Sequence, residues 1–178
     1  MEKRLLVHIL GSPRFHLEFY VKGTLAVVED VLLMRCLDFT MGREPSPFLC
    51  ALARLVTLAP EAALLRELIG CADYKYATAL ACVIIRLSWS PIEVHKALTP
   101  LYGDWRRIRV RMTREGGERI VPLDMLVELL LKPSPIIGDL KFPLLPLRSV
   151  YESQKLLPRL RDVLEELLTN QPTLKCPT

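Results

Sequence analysis

Between Lys75 and Arg86 the chain carries Ala77, Ala79, Leu80, Ala81, Cys82, Val83, Ile84 and Ile85, which leave a helix almost no polar face. A helix that is apolar all round must be surrounded by other elements. The charge-free run, residues 76–85, reaches only about half of the ~20 residues a bilayer span needs, so its surroundings are read as protein rather than lipid. With 178 residues the chain can wrap such a helix, burying ~70% of its unfolded surface without disulfide or metal staples. Leu and Ala prevail over Val, Ile and Thr, and aromatic residues make up only 7%, which favours packed helices over sheets.

Ser-Pro pairs set the helix starts. At Ser12-Pro13, Ser46-Pro47 and Ser90-Pro91 a hydroxyl able to accept from an orphan N–H precedes a Pro whose missing N–H costs nothing in the first helical turn. Glu93 completes a capping box in the third case. Helices are expected over about residues 1–9, 13–22, 25–37, 47–58, 60–69, 73–87 and 91–98. Leu49, Leu52, Ala53, Leu55 and Val56, and then Leu64, Leu65, Leu68 and Ile69, recur at helical spacing. Gly23 and Gly70 are expected to end helices in the left-handed conformation.

Then the period changes. In Arg107-Ile108-Arg109-Val110-Arg111-Met112 basic and apolar residues alternate, and after Gly116-Gly117 comes Arg119-Ile120-Val121. This predicts one β-hairpin over about residues 107–121, with Ile108, Val110 and Met112 facing inward and Arg107, Arg109 and Arg111 outward. Helix resumes over residues 123–131. Pro133, Pro135, Pro143 and Pro146 then predict a packed, irregular connection. Residues 147–168 return to helix, with Pro158 as a new first turn or a kink. Its stripe of Leu157, Leu160, Val163, Leu164, Leu167 and Leu168 either docks on its own domain or is shared with a partner helix. The expected fold class is mostly α, a single compact multi-helix domain over residues 1–168 with one small β-hairpin, and 169–178 a disordered tail.

No motif for catalysis emerges. His8, His16 and His95 lack HExxH spacing, and the glycines build neither GxGxxG nor a P-loop. No GxSxG elbow is present. Cys36, Cys50, Cys71, Cys82 and Cys176 form an odd set without a CxxC pair, read as reduced thiols of an intracellular protein. His95 reads as a surface residue of a short helix, and a Cys–His dyad assembled across the fold, for example Cys50 with His95, is the enzymatic alternative. No cofactor, no metal and no membrane partner are expected. The net charge of +4 permits nucleic-acid contact without demanding it.

The hairpin carries the strongest charge. Arg106, Arg107, Arg109, Arg111, Arg114 and Arg119 stand against Asp104, Glu115 and Glu118. A solvated face that guards a sheet edge, a site for an acidic partner segment and a contact for RNA phosphates are all compatible with this pattern. Tyr102 and Trp105 lie beside it and read either as core or as stacking residues. The candidate partner-binding residues are Arg107, Arg109 and Arg111 as a charged patch, with Tyr74, Tyr102 and Trp105 as aromatic anchors.

Taken in order, Glu44-Pro45-Ser46-Pro47-Phe48-Leu49-Cys50 with Leu52, Leu55 and Pro60-Glu61, then Asp73-Tyr74-Lys75-Tyr76, Arg86-Leu87 and the run from Leu98 to Arg106, resemble the pre-mRNA-processing factor 38 family of splicing proteins. Order and spacing agree from about Pro45 to Leu131, where Asp124, Leu129 and Leu130 look like the family's helix after the hairpin, and the segment from Leu145 to Glu166 looks like its closing segment. The family's glycine-rich stretch before the Pro-x-Pro-Phe motif is reduced to residues 39–43, and its Arg/Ser-rich or acidic tail has no counterpart in these residues.

The resemblance implies a nuclear, non-enzymatic scaffold of the spliceosome that acts around the tri-snRNP and the precatalytic complex and supports activation. Its implied partners are a microfibril-associated-protein-like helical factor and a matrin-type zinc-finger protein. The alternative is a small RNA-binding module that contacts phosphates through the Arg-rich hairpin.

Overall fold

The computed structural model describes residues 2–170. The helices are α1 (Lys3–Leu10), α2 (Thr24–Leu33), α3 (Pro47–Leu58), α4 (Ala62–Gly70), α5 (Lys75–Ser88), α6 (Pro91–Leu98), α7 (Leu123–Leu131), α8 (Arg148–Ser153) and α9 (Leu160–Asn170). A π-helical turn covers Phe15–Phe19 and a 3-10 turn Thr99–Gly103. The strands are β1 (Leu37–Asp38), β2 (Arg107–Arg111), β3 (Arg119–Pro122), β4 (Ile136–Ile137) and β5 (Leu140–Lys141). Cys176, and most of the expected tail, lie outside the described residues.

The apolar run becomes α5, the axis of the molecule. Every residue from Ala77 to Arg86 is buried, with α2, α3, α4 and α7 packed around it. Each large side chain so buried contributes about 1.5–3 kcal/mol. The Ser-Pro starts hold for α3 and α6: Ser46 Oγ accepts from Leu49 N at 3.2 Å, and Ser90 Oγ accepts from Glu93 N at 3.5 Å. Ser12 Oγ likewise accepts from Phe15 N at 3.2 Å, but the turn it opens widens to π geometry and buries Phe15 and Phe19 together.

Several expectations are corrected. Helix α2 stops at Leu33, not residue 37, because Leu37 and Phe39 reach the core from extended backbone, where alternate residues point inward. Strand β1 then pairs parallel with β2, so the predicted hairpin is the larger part of a three-stranded sheet. Gly23 is extended and Gly70 still helical; after α3 the left-handed position is taken by Ala59, with φ of 48°.

The proline-rich connection holds a second ladder, β4 with β5. Its turn needs Gly138, with φ of 61°, since a Cβ there would stand 2.2 Å from the Phe39 carbonyl oxygen. Asp139 N donates to that same oxygen at 2.9 Å, and Met41 N donates to the Asp139 carboxylate at 2.6 Å. The tip of the second hairpin thereby fixes the approach to α3.

Arg86 closes the far end of α5. Fully charged side chains are rarely this deep without a carboxylate, yet its Nε donates to Leu130 O at 2.7 Å and its Nη2 to Pro143 O at 2.6 Å, beneath the Phe142 ring. Downstream, Lys155 in the left-handed region separates α8 from α9, and Glu152 accepts from Leu160 N at 2.9 Å. Helix α9 packs on the 3-10 turn, so its stripe docks on its own domain, although Leu160, Val163, Leu164 and Leu167 remain only half-buried.

Candidate protein-interaction surface

Paired residues of neighbouring strands share a face of the sheet. The register sets Asp38 beside Arg111 on one side of β2, and Ile120 beside Arg109 on the other. Ile108 and Val110 turn inward and are buried, so Arg107, Arg109 and Arg111 lie on the outer face as the alternation predicts. Carboxylates then answer most of this charge. Arg111 Nη1 stands 3.2 Å from Asp38 and Nη2 3.4 Å from Glu118, while Arg109 meets Glu118 at 3.3 Å. Arg114 pairs with Asp139 at 2.9 Å.

Arg106 is structural. It forks onto Asp104 and donates to the carbonyls of Cys71 at 2.8 Å and Ala72 at 2.6 Å, and to Thr78 Oγ1 at 3.1 Å. Asp104 as hydrogen-bond partner is the main reason its guanidinium is raised above the ordinary Arg value. Of the six arginines of this segment, Arg107 and Arg119 make no ion pair among the described residues. The local charge counted along the sequence therefore overstates the field at the surface.

Two cations from elsewhere join Arg107. The stretch just after α2 delivers Arg35 and the start of α5 delivers Lys75 to a cavity of about 430 Å³, which Met34, Tyr76, Arg107, Ile108, Arg109 and Ile120 also line. The Tyr76 hydroxyl donates to Arg35 O at 2.9 Å and accepts from Arg109 N at 3.3 Å, tying the end of α2 to β2. Arg35 and Tyr76 escape sequence reading because no spacing links positions so far apart in the chain.

The aromatic candidates divide. Trp105 is 71% exposed, which sets aside its core reading and leaves the exposed one, because it falls on the extended stretch between the 3-10 turn and β2. It borders a shallow groove lined by Ile69 and Pro100. Tyr74 stands exposed just before α5, and Tyr102 is half-buried, its hydroxyl raised above the ordinary Tyr value by burial. A further apolar surface was not foreseen: Leu17 (86%) and Leu33 (82%) are left open on a shallow groove between the π-helical turn and the end of α2. Exposed apolar residues grouped in this way mark interaction surfaces.

Cys50, Cys82 and His95 are buried. Burial pushes the thiols of Cys36 and Cys50 up to about 11 and that of Cys82 to about 12, far from a nucleophilic thiolate. His95 is buried rather than on the surface: its helix faces the 146–151 segment, where Nε2 meets Pro146 O at 3.1 Å and the ring lies near Tyr151. Nδ1 has no partner, and burial lowers the pKa below the ordinary His value. Neither ring nitrogen meets a thiol, so the Cys50–His95 dyad is not assembled. Among the described residues no group of His, Cys, Asp and Glu could hold a metal ion, and no helix is long and apolar enough to cross a membrane.

A family model described as the PRP38 family matches residues 1–155, which takes in the central helix, both hairpins and α8. The chain belongs to the PRP38 family. Among curated PRP38 relatives, Pre-mRNA-splicing factor 38 of Schizosaccharomyces pombe is 35% identical over 126 residues, covering 71% of this chain and 55% of the relative. That of Arabidopsis thaliana is 32% identical over 171 residues, 92% of this chain and 48% of the relative. The chain spans about half the length of these relatives. Among solved structures, a chain in the Snu23–Prp38–MFAP1(217–258) complex of Chaetomium thermophilum superposes with a TM-score of 0.77 at 28% identity, covering 97% of this chain and 93% of the other. The PRP38 match bears out the motifs from Pro45 to Arg106: the Pro-x-Pro-Phe stretch is the capped start of α3, and the Leu98–Arg106 run is the 3-10 turn with its Arg106–Asp104 fork.

Proposed function

We propose that this chain works as a non-enzymatic, nuclear scaffold of the spliceosome, holding other splicing proteins around the tri-snRNP and the precatalytic complex and supporting activation. One observation carries this reading: the PRP38 fold extends over nearly the whole chain at a TM-score of 0.77 to a chain solved in complex with Snu23 and an MFAP1 segment. The counterparts of those two proteins, a matrin-type zinc-finger protein and a long helical factor, are the partners this reading assigns. The interior supports it, since Cys50, Cys82 and His95 are withdrawn from solvent while apolar and aromatic residues are displayed. Binding energy would come from such apolar anchors, with arginines governing orientation and on-rate.

The RNA-binding alternative has weaker support, because Arg106, Arg109, Arg111 and Arg114 are engaged by carboxylates. Size-exclusion chromatography of the purified chain mixed with its own organism's Snu23 and MFAP1 counterparts tests the reading. Co-elution with at least one is expected. Separate elution from both, together with splicing that proceeds normally after depletion of the chain, overturns it.

A further inference from the structure

We infer that the cavity between the end of α2, the start of α5 and the sheet is a docking site for an acidic peptide segment of a partner protein, one that carries an apolar side chain among its carboxylates. The inference deepens the scaffold reading and rests on it for the partner being a protein. The site is not the outer-face triad that alternation along β2 picks out, since Arg111 is already held between Asp38 and Glu118.

Four cations, Arg35, Lys75, Arg107 and Arg109, line the cavity, and no carboxylate does. Arg109 spends part of its charge on Glu118 at 3.3 Å, but Arg35, Lys75 and Arg107 make no ion pair among the described residues. Like charges gathered from three segments repel one another, and a ligand carrying carboxylates relieves that repulsion as it binds. The site is also built rather than fortuitous: the Tyr76 hydroxyl bridges Arg35 O and Arg109 N, fixing the backbone from which two of the cations project.

Carboxylate and phosphate both suit a guanidinium fork, and the remaining lining distinguishes their macromolecular sources. Single-stranded RNA takes much of its affinity from stacking on aromatic faces. Tyr76 is the only aromatic residue lining the cavity, and Lys75 Nζ already lies over its ring, 5.5 Å from the centroid. In place of a stacking platform the cavity offers Ile120, 64% exposed and level with Arg109 across the ladder. An exposed Ile amid cations matches a peptide that alternates acidic and apolar side chains, for which a phosphodiester backbone has no equivalent.

The test titrates the whole chain, labelled for NMR, with a short peptide of Asp, Glu and Leu, with the same peptide lacking Leu, and with oligouridylate RNA of equal length at equal salt. Expected are saturable shifts at the amides of Arg35, Lys75, Tyr76, Arg107 and Ile120, and tighter binding of the Leu-containing peptide. The double variant Arg35→Glu, Arg107→Glu lowers that affinity about tenfold or more with an unchanged melting temperature. Ile120→Ser removes the advantage conferred by Leu and leaves the Leu-free peptide unaffected. Tighter binding of the RNA, shifts confined to other surfaces, or no saturation overturns the inference. The double variant is also run in the chromatography with Snu23 and MFAP1 counterparts. A chain that binds those partners but no acidic peptide keeps its scaffold role without this site; the converse result leaves the site standing without that role.

Discussion

Asp38 and Arg111 face each other at 3.2 Å across the parallel pairing of β1 with β2, although 73 residues separate them in the chain. Asp38 also accepts from Thr40 N at 2.9 Å and Thr40 Oγ1 at 2.7 Å, so one carboxylate both shapes the turn after β1 and offsets an arginine of the hairpin. Removing it as Asp38→Ala is expected to cost about 1–2 kcal/mol, mostly from the stranded Thr40 N–H. A double-mutant cycle with Arg111→Gln should give a coupling of no more than about 1 kcal/mol, shrinking as salt is added, because the pair is part-exposed. Urea denaturation of the four proteins measures it, and a large, salt-insensitive coupling would contradict this account.

Arg86 is expected to be among the least replaceable charged residues. Its loss as Arg86→Ala leaves the carbonyls of Leu130 and Pro143 without their donor and opens space beside Phe142. Each abandoned buried acceptor costs about 1–3 kcal/mol, so destabilisation of roughly 3 kcal/mol or more is predicted by chemical denaturation. Arg86→Met, which fills the space without the donors, should recover only part of it. Full recovery would show that packing rather than hydrogen bonding holds this corner.

His95 makes stability depend on pH in one direction. Burial holds its folded pKa below the ordinary value of 6.5, with Arg148 and Arg86 adding to the shift and Pro146 O and Glu152 opposing it. Below that value the unfolded chain takes up a proton that the folded chain resists, so stability is complete above about pH 6.5 and falls on acidification towards the lower folded pKa. The slope can approach but not exceed about 1.4 kcal/mol per pH unit. His95→Gln should flatten it between pH 7.5 and 5.5 in urea melts. Asp139, held below its ordinary value because Arg114 and Met41 N outweigh its burial, acts only in more acidic solution and leaves this window clear. A slope that survives in His95→Gln would assign it to another group.

Gly138→Ala should lower the melting temperature sharply. A left-handed backbone and a Cβ at 2.2 Å from the Phe39 carbonyl leave the turn no way to accept the methyl without moving β1 or the second hairpin. Strain of this kind costs about 1–3 kcal/mol before the clash is counted. Gly117→Ala, also left-handed but in open space, should cost less. Equal losses at the two positions would mean that the approach to Phe39 is unimportant.

The starts of α3 and α6, the burial of α5 and the in-out alternation of β2 were legible along the chain, because each follows from chemistry acting within a few residues: a Ser hydroxyl on a nearby N–H, a Pro in the first turn, a repeat of two or of three to four. Strands β1, β4 and β5 were not, since two residues are too few to show a period and their hydrogen bonds are made with distant partners. The same limit explains His95, whose neighbours in sequence say nothing of Pro146 and Tyr151.

A helical domain around an all-apolar axis, a basic hairpin beside it and the PRP38 motifs can all be read along the chain. Which charges stay free follows from how the chain packs. Packing sets Asp38, Glu118, Asp139 and Asp104 against four of the hairpin arginines, and it gathers Arg35 and Lys75 beside Arg107. Charge counted along a chain carries no distance between charges; Coulomb attraction falls off with separation in space, and the fold alone fixes that separation.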